Sequence, residues 1–279
     1  MHPPVALLLH PAARLSLTDF TVHPSTVIGL AGLGALYVWR ARQRPAGADS
    51  PTTAQRATFF SALALIFFSL NGWLHDLSDG YLFSAHMVQH LVLTLVAPPL
   101  LVMGTPGWML RPALAWRGVG PVARWLTAPA HCFVIFNVVL VAWHLPPMYE
   151  LAMAHHPIHI AQHLCFMTAA VLMWWPVLSP LPELPRLSYP GQMLYLFLLS
   201  IPMSLVAVCI GYADHLLYPS YASAARIFGI TPMMDQMIGA LIMWIPGGLF
   251  FFAIISVVFF RWQQMNGDDT RIGAQVRGH

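Results

Sequence analysis

The sequence contains no lysine and little charge of any kind. Charged residues make up 8% of its 279 positions, against about 25% in an ordinary soluble domain. A retinal-type Schiff base needs a lysine amine, so that class of membrane protein is excluded. All 13 basic residues are arginine. They form no dense run with interleaved aromatics, so nucleic acid is not an expected partner. Cysteine is scarce too. Cys132, Cys165 and Cys209 lie in apolar runs without a CxxC, and they read as small core residues. No nucleotide motif or nucleophile–base arrangement stands out, which argues against an enzyme. Met1 to Leu15 lack a basic start and a long apolar core and make a poor signal peptide.

Apolar residues are what the chain has in excess: 58% are hydrophobic and the mean hydropathy is +0.65. About 20 mostly apolar residues cross a bilayer. Stretches that qualify lie near 22–39, 57–74, 86–103, 130–145, 158–178, 191–212 and 233–260. The expected fold is all-α: a polytopic membrane bundle of about seven transmembrane helices. It would form a single integral membrane domain over 1–279, with an outer N-terminal arm at 1–21 and a cytoplasmic tail at 262–279. Cytoplasmic loops retain arginine. Arg40, Arg42, Arg44, Arg56, Arg111, Arg117, Arg124, Arg186, Arg261, Arg271 and Arg277 fall on one side of this topology, against Arg14 and Arg226 on the other. The N-terminus is therefore expected outside and the C-terminus inside.

Most histidines then collect at the outer face. His75 ends the second span, His86 and His90 open the third, His144 ends the fourth, and His159 and His163 open the fifth. His155 and His156 precede Pro157, which favours the first helical position, and are expected in the loop. An internal repeat stands out: His86-Met-Val-Gln89-His90 and His159-Ile-Ala-Gln162-His163 are both H-x-x-Q-H. Met233-Met234-Asp235-Gln236-Met237 keeps the glutamine and puts methionine in place of each histidine. Each copy follows a helix ending near His75, His144 or His215, which suggests three helical hairpins closing outward. Residues at i and i+4 share a helix face, so each pair could present two donors to one point. Imidazole suits copper, zinc, iron and nickel, and thioether selects Cu(I). The candidate metal ligands are His75, His86, His90, His144, His159, His163, Met233, Asp235 and Met237. Gln89, Gln162 and Gln236 are candidates for orienting them. Copper, as Cu(I), is the expected ion.

His86-Met-Val-Gln-His-Leu91, running on to Ala97-Pro-Pro-Leu-Leu101 and Gly104-Thr-Pro106, resembles the multispanning CtaG family of cytochrome c oxidase assembly factors. The second H-x-x-Q-H and the Asp235-Gln236…Trp244-Ile-Pro246 segment fit the same family. The resemblance implies a multi-pass protein of the bacterial inner membrane. It would help a haem–copper cytochrome c oxidase mature by bringing copper to it, with oxidase subunits and a copper chaperone as partners besides the bilayer. Two other readings stay open: a membrane cytochrome holding haem between His90 and His163, and a metal transporter.

Overall fold

In lipid a backbone must satisfy its own hydrogen bonds, and an unpaired apolar segment does so as a helix. The computed structural model describes residues 20–226 and 228–277, with side chains to 266. It contains no strand among the described residues. The expected outer arm as far as residue 19, with His2, His10 and Arg14, lies outside the described residues, as does His279.

The helices are α1 (Pro24–Arg42), α2 (Thr53–Ser69), α3 (Trp73–Gly80), α4 (Phe83–Leu91) and α5 (Ala97–Gly104). They continue as α6 (Gly107–Leu114), α7 (Val119–Leu126), α8 (Pro129–His144), α9 (Pro146–Ala154), α10 (His156–Leu178), α11 (Tyr189–Gly211) and α12 (Pro232–Arg277). A π-helical turn, Val92–Val96, joins α4 to α5. Four units are long and apolar enough to cross a membrane: Phe83–Gly104, α10, α11 and Pro232–Asn266. Two bent pairs, α2 with α3 (44°) and α7 with α8 (71°), raise the number to six if each is one span. The count is thus lower than the seven expected. The first expected span corresponds to α1, whose apolarity is diluted by Gly29, Gly32, Gly34, Arg40 and Arg42. His156 is the first residue of α10, with Pro157 second, so it is helical rather than in the loop.

The π turn has a local cause. Pro98 and Pro99 have no N–H to donate to the carbonyls of Thr94 and Leu95 four residues earlier. The Trp174 indole N–H, from α10, bonds the Thr94 carbonyl at 3.0 Å instead. Turns of this kind often accompany functional sites. Here it begins two residues after His90.

The helices pack as α2 on α5, α3 on α4, α8 on α10 and α11 on α12, with α4 also against α12. The three pairs expected as hairpins therefore lie side by side. Where α12 crosses α4, only glycine fits: a Cβ on Gly239 would lie 2.4 Å from the Phe83 ring. The α2–α3 bend sits at Gly72, whose φ of +67° favours glycine.

Gly239→Val should overpack the α4–α12 crossing and cost roughly 1–3 kcal/mol, lowering the midpoint of thermal unfolding in detergent. Gly248→Val, on the same helix with nothing within 4 Å of its Cβ position, should leave that midpoint unchanged. Equal shifts would mean that the crossing is not tight.

Candidate metal centre

The first N–H groups of a helix need acceptors from outside it. For α4 they come from Asp235, in the first turn of α12. Its carboxylate accepts from the backbone N–H of Phe83 at 2.6 Å and of Ser84 at 3.2 Å, and from the Ser84 hydroxyl. Asp235 is 1% exposed. A buried carboxylate at a helix N-terminus also complements the helix dipole. Asp235 was expected as a metal ligand; its oxygens instead fix where α4 starts, and so where His86 and His90 point. Gln236 is likewise engaged. Its carbonyl accepts from the Leu217 N–H at 2.8 Å, and its amide donates to the carbonyls of Ile210 and His215 at 3.3 Å. These bonds tie α12 to the loop after α11 and orient no histidine side chain. Met233 and Met237 are 37% and 41% exposed, at the surface and apart from the buried imidazoles.

The histidines do come together. His86, His90, His144, His159 and His163 are all buried. Within one helix, the His86 and His90 ring centroids lie 4.2 Å apart, and those of His159 and His163 4.4 Å apart. Between α4 and α10, His86 lies 5.7 Å from His159 and 6.0 Å from His163, and His90 lies 5.5 Å from His163. His144, the last residue of α8, is 6.0 Å from His90.

Their hydrogen-bond partners select tautomers. His144 donates its Nδ1–H to the Leu140 carbonyl at 2.7 Å, which leaves Nε2 as an acceptor. His159 Nδ1 lies 3.3 Å from the Asp79 carboxylate, which leaves its Nε2 free in the same way. His75 has both nitrogens engaged: Nε2 lies 3.4 Å from Asp79, and Nδ1 faces the Gln89 amide at 3.2 Å. Gln89 also donates to the Ser69 carbonyl at 2.6 Å. His75 and Gln89 therefore brace Asp79, and Asp79 orients His159. That is the carboxylate–histidine arrangement usual behind a metal ligand.

What remains is a set of buried nitrogens without a hydrogen-bond partner: both on His86, His90 and His163, and Nε2 on His144 and His159. The Gln162 amide, 0% exposed, is also unpartnered. Leaving one such group unsatisfied costs roughly 1–3 kcal/mol, so a cluster of them calls for a ligand. Buried, unpartnered imidazole nitrogens converging from three helices fit a borderline or soft metal ion.

Asp79 was not among the expected site residues. Its ligand oxygen, with one nitrogen each from His86 and His159, forms a group within 4.8 Å of one another. Its signal in the sequence was the i+4 spacing from His75, the same spacing as in the H-x-x-Q-H pairs. Tyrosines were missed as well. Tyr149, 5.1 Å from His86, bonds the Tyr221 hydroxyl at 2.7 Å. Tyr221 donates to the Ser78 carbonyl and Tyr218 to the His144 carbonyl. Burial pushes the phenols of Tyr149 and Tyr221 well above their usual range, so they stay neutral and wall the site. Beside the cluster lies a cavity of about 490 Å³, reached by His75, His159 and His163, with His23 and His156 also on its wall and apolar residues such as Leu30, Ile66 and Met167 making up much of the rest. His215 pairs with Asp214 at the surface.

Residues 33–265 match the family model described as cytochrome c oxidase caa3 assembly factor (Caa3_CtaG). The chain is 30% identical to an uncharacterized protein of Mycobacterium bovis over 131 residues, which is 42% of this chain and 20% of that protein. A Mycobacterium tuberculosis protein matches to the same extent. An uncharacterized protein of Mycobacterium leprae is 22% identical over 254 residues, 85% of this chain and 38% of that protein. The matched regions thus span between a fifth and two fifths of these relatives' lengths. No solved structure matches the chain.

Asp235→Ala should strand two backbone N–H groups and destabilise the protein by roughly 1–3 kcal/mol, read as a lower unfolding midpoint. Replacing Met233 and Met237 together by leucine should leave the metal content of the purified protein unchanged. Loss of metal from that double variant would bring the thioethers back into the site.

Proposed function

The chain belongs to the family of cytochrome c oxidase caa3 assembly factors, and from that premise we propose that it helps a haem–copper oxidase mature by holding copper in the histidine cluster and presenting it to oxidase subunits. The observation that carries this reading is the convergence of unpartnered imidazole nitrogens from α4, α8 and α10. Copper is cargo here, and the chain's own groups do the holding. His86, His90 and His163 offer either nitrogen, and His144 and His159 offer Nε2. Asp79 supplies a negative charge beside His86 and His159, and Tyr149 packs against His86 on the other side. Imidazole binds both copper oxidation states, and with the thioethers at the surface the buried donors are imidazoles and one carboxylate. A copper chaperone would load the site, and no chemical conversion is required of this protein.

The arginine distribution supports a cluster facing outward from a bacterial inner membrane, with α1 as a seventh span and the C-terminus inside. Haem between His90 and His163 is the weaker reading. Their ring centroids are 5.5 Å apart and their rings nearly perpendicular, with Phe166 packed 4.6 Å from His90. A porphyrin needs a slot about as wide as itself between its two axial ligands.

Copper should co-purify with the protein, without a Soret band. Replacing His86, His90, His159 and His163 by asparagine should abolish it, and cells carrying that variant should make oxidase that is inactive and copper-poor. Full copper retention in the variant, or normal oxidase after deletion of the whole gene, would end the proposal. A reporter fused after Gly278 should be active only in the cytoplasm; activity outside would reverse the orientation.

A further inference from the structure

The cavity beside the cluster is polar at one end and apolar along the rest. Its longest wall is α10, from His156 to Val171. At 1.5 Å per residue that stretch is about 22 Å long, roughly the depth of one bilayer leaflet with its headgroup region. His156, His159 and His163 stand at its start, and Leu164, Met167 and Val171 further along, with Thr168 between them. α1 repeats the gradient: Ser25 and Thr26 come first, then Gly29, Leu30 and Leu33. The two polar ends meet, because the ring of His23, just before α1, lies 5.9 Å from that of His156 and 4.4 Å from that of His75. α1 packs on α2 and not closely on α10, so the space between α1 and α10 is a slot rather than a helix seam. Its volume of about 490 Å³ lies within the range of roughly 300–1,000 Å³ usual for small-molecule sites.

The polar end limits what head it can take. Among the described residues no arginine lines the cavity, and the chain has no lysine. The Asp79 carboxylate stands behind His75 and His159, at 3.4 and 3.3 Å. A phosphate or carboxylate head would meet that charge with no cation to offset it. A neutral oxygen head meets imidazoles and hydroxyls instead. His159 and His163 border the cavity and are buried with nitrogens that have no hydrogen-bond partner. Ser25, Thr26 and His156 offer further partners where those two hold copper. We propose that the cavity binds a neutral membrane amphiphile, with a carbonyl or hydroxyl head at the histidine end and an apolar chain along α1 and α10. Isoprenoid quinones and long-chain alcohols share that chemistry. The inference does not depend on the copper reading.

The test titrates the full-length protein, purified in detergent and stripped of lipid, with three probes that share a decyl chain: a decyl-tailed quinone, 1-decanol and decanoate. Calorimetry at neutral pH should show saturable one-to-one binding of one or both neutral probes, at least tenfold tighter than decanoate. Whichever neutral probe binds more tightly tells a quinone from an alcohol as the source. Gly29 lines the cavity and has nothing within 4 Å of its Cβ position, so Gly29→Trp should fill the slot without a clash and weaken binding at least tenfold. Gly32→Trp is equally open on the same helix but off the cavity wall, and should bind as the unaltered protein does. Gly29→Leu serves as a smaller filler should the tryptophan variant not fold, and unfolding midpoints show which variants are intact. Decanoate binding as tightly as the neutral probes overturns the assignment of the head. No saturable binding, or equal binding by folded Gly29 and Gly32 variants, overturns the site. None of these outcomes reads copper, so the copper proposal stands or falls separately.

Discussion

The Asp235 carboxylate caps α4 from across the bundle, and the position of the histidines follows from that contact. A helix that starts inside an apolar assembly has N–H groups that water cannot reach. Asp235 takes those of Phe83 and Ser84, while the missing side chain at Gly239 lets α12 lie against Phe83. With the start of α4 pinned, His86 and His90 are one and two turns along and turned toward α10. The cap and the close crossing act on the same few residues, so α4 has one register against α12. The ring distances across to α10 depend on that register.

The rest of the polar chemistry forms a graded chain. Ser69 holds Gln89, Gln89 holds His75, His75 and Ser78 hold Asp79, and Asp79 holds His159. Each link is satisfied on the side away from the cluster and leaves the next group less choice. The chain ends at nitrogens with no partner in the protein. Tyr149, Tyr218 and Tyr221 close the other side, with their hydroxyls turned toward one another or toward backbone carbonyls, so they compete for none of those nitrogens.

Much of this was legible before any coordinates. The long apolar runs announce helices, and the two H-x-x-Q-H copies announce paired histidines, because both signals are local and periodic. The bend at Gly72 and the dilution of α1 are weaker signals. They concern how far an apolar run continues in one direction, which composition reports poorly. Residue roles that depend on a partner far along the chain were not legible. Asp235 looks like a ligand by its place in the third repeat, yet its acceptors serve a helix more than 150 residues away. Asp79 carries the right spacing from His75 but belongs to no repeat, and only the packing of α3 on α4 brings it to His159. Similarity of pattern located the third copy; burial decides that its methionines face outward while its acid and amide face in.

That division gives the third copy a different part from the first two. Repeats of this kind place equivalent residues at equivalent depths, so an exchange of histidine for methionine would be expected to keep a donor in the same place. Here the equivalent positions on α12, Met233 and Met237, are 37% and 41% exposed at the surface, whereas on α4 and α10 they are buried and face each other. The glutamine position shows the same logic from the other side. Gln89 and Gln162 are fully buried next to the imidazoles, and Gln236 is buried against the loop after α11. The repeat therefore specifies a helix start with a buried amide in all three copies. Only where two such starts face each other, α4 against α10, does it also specify a donor cluster.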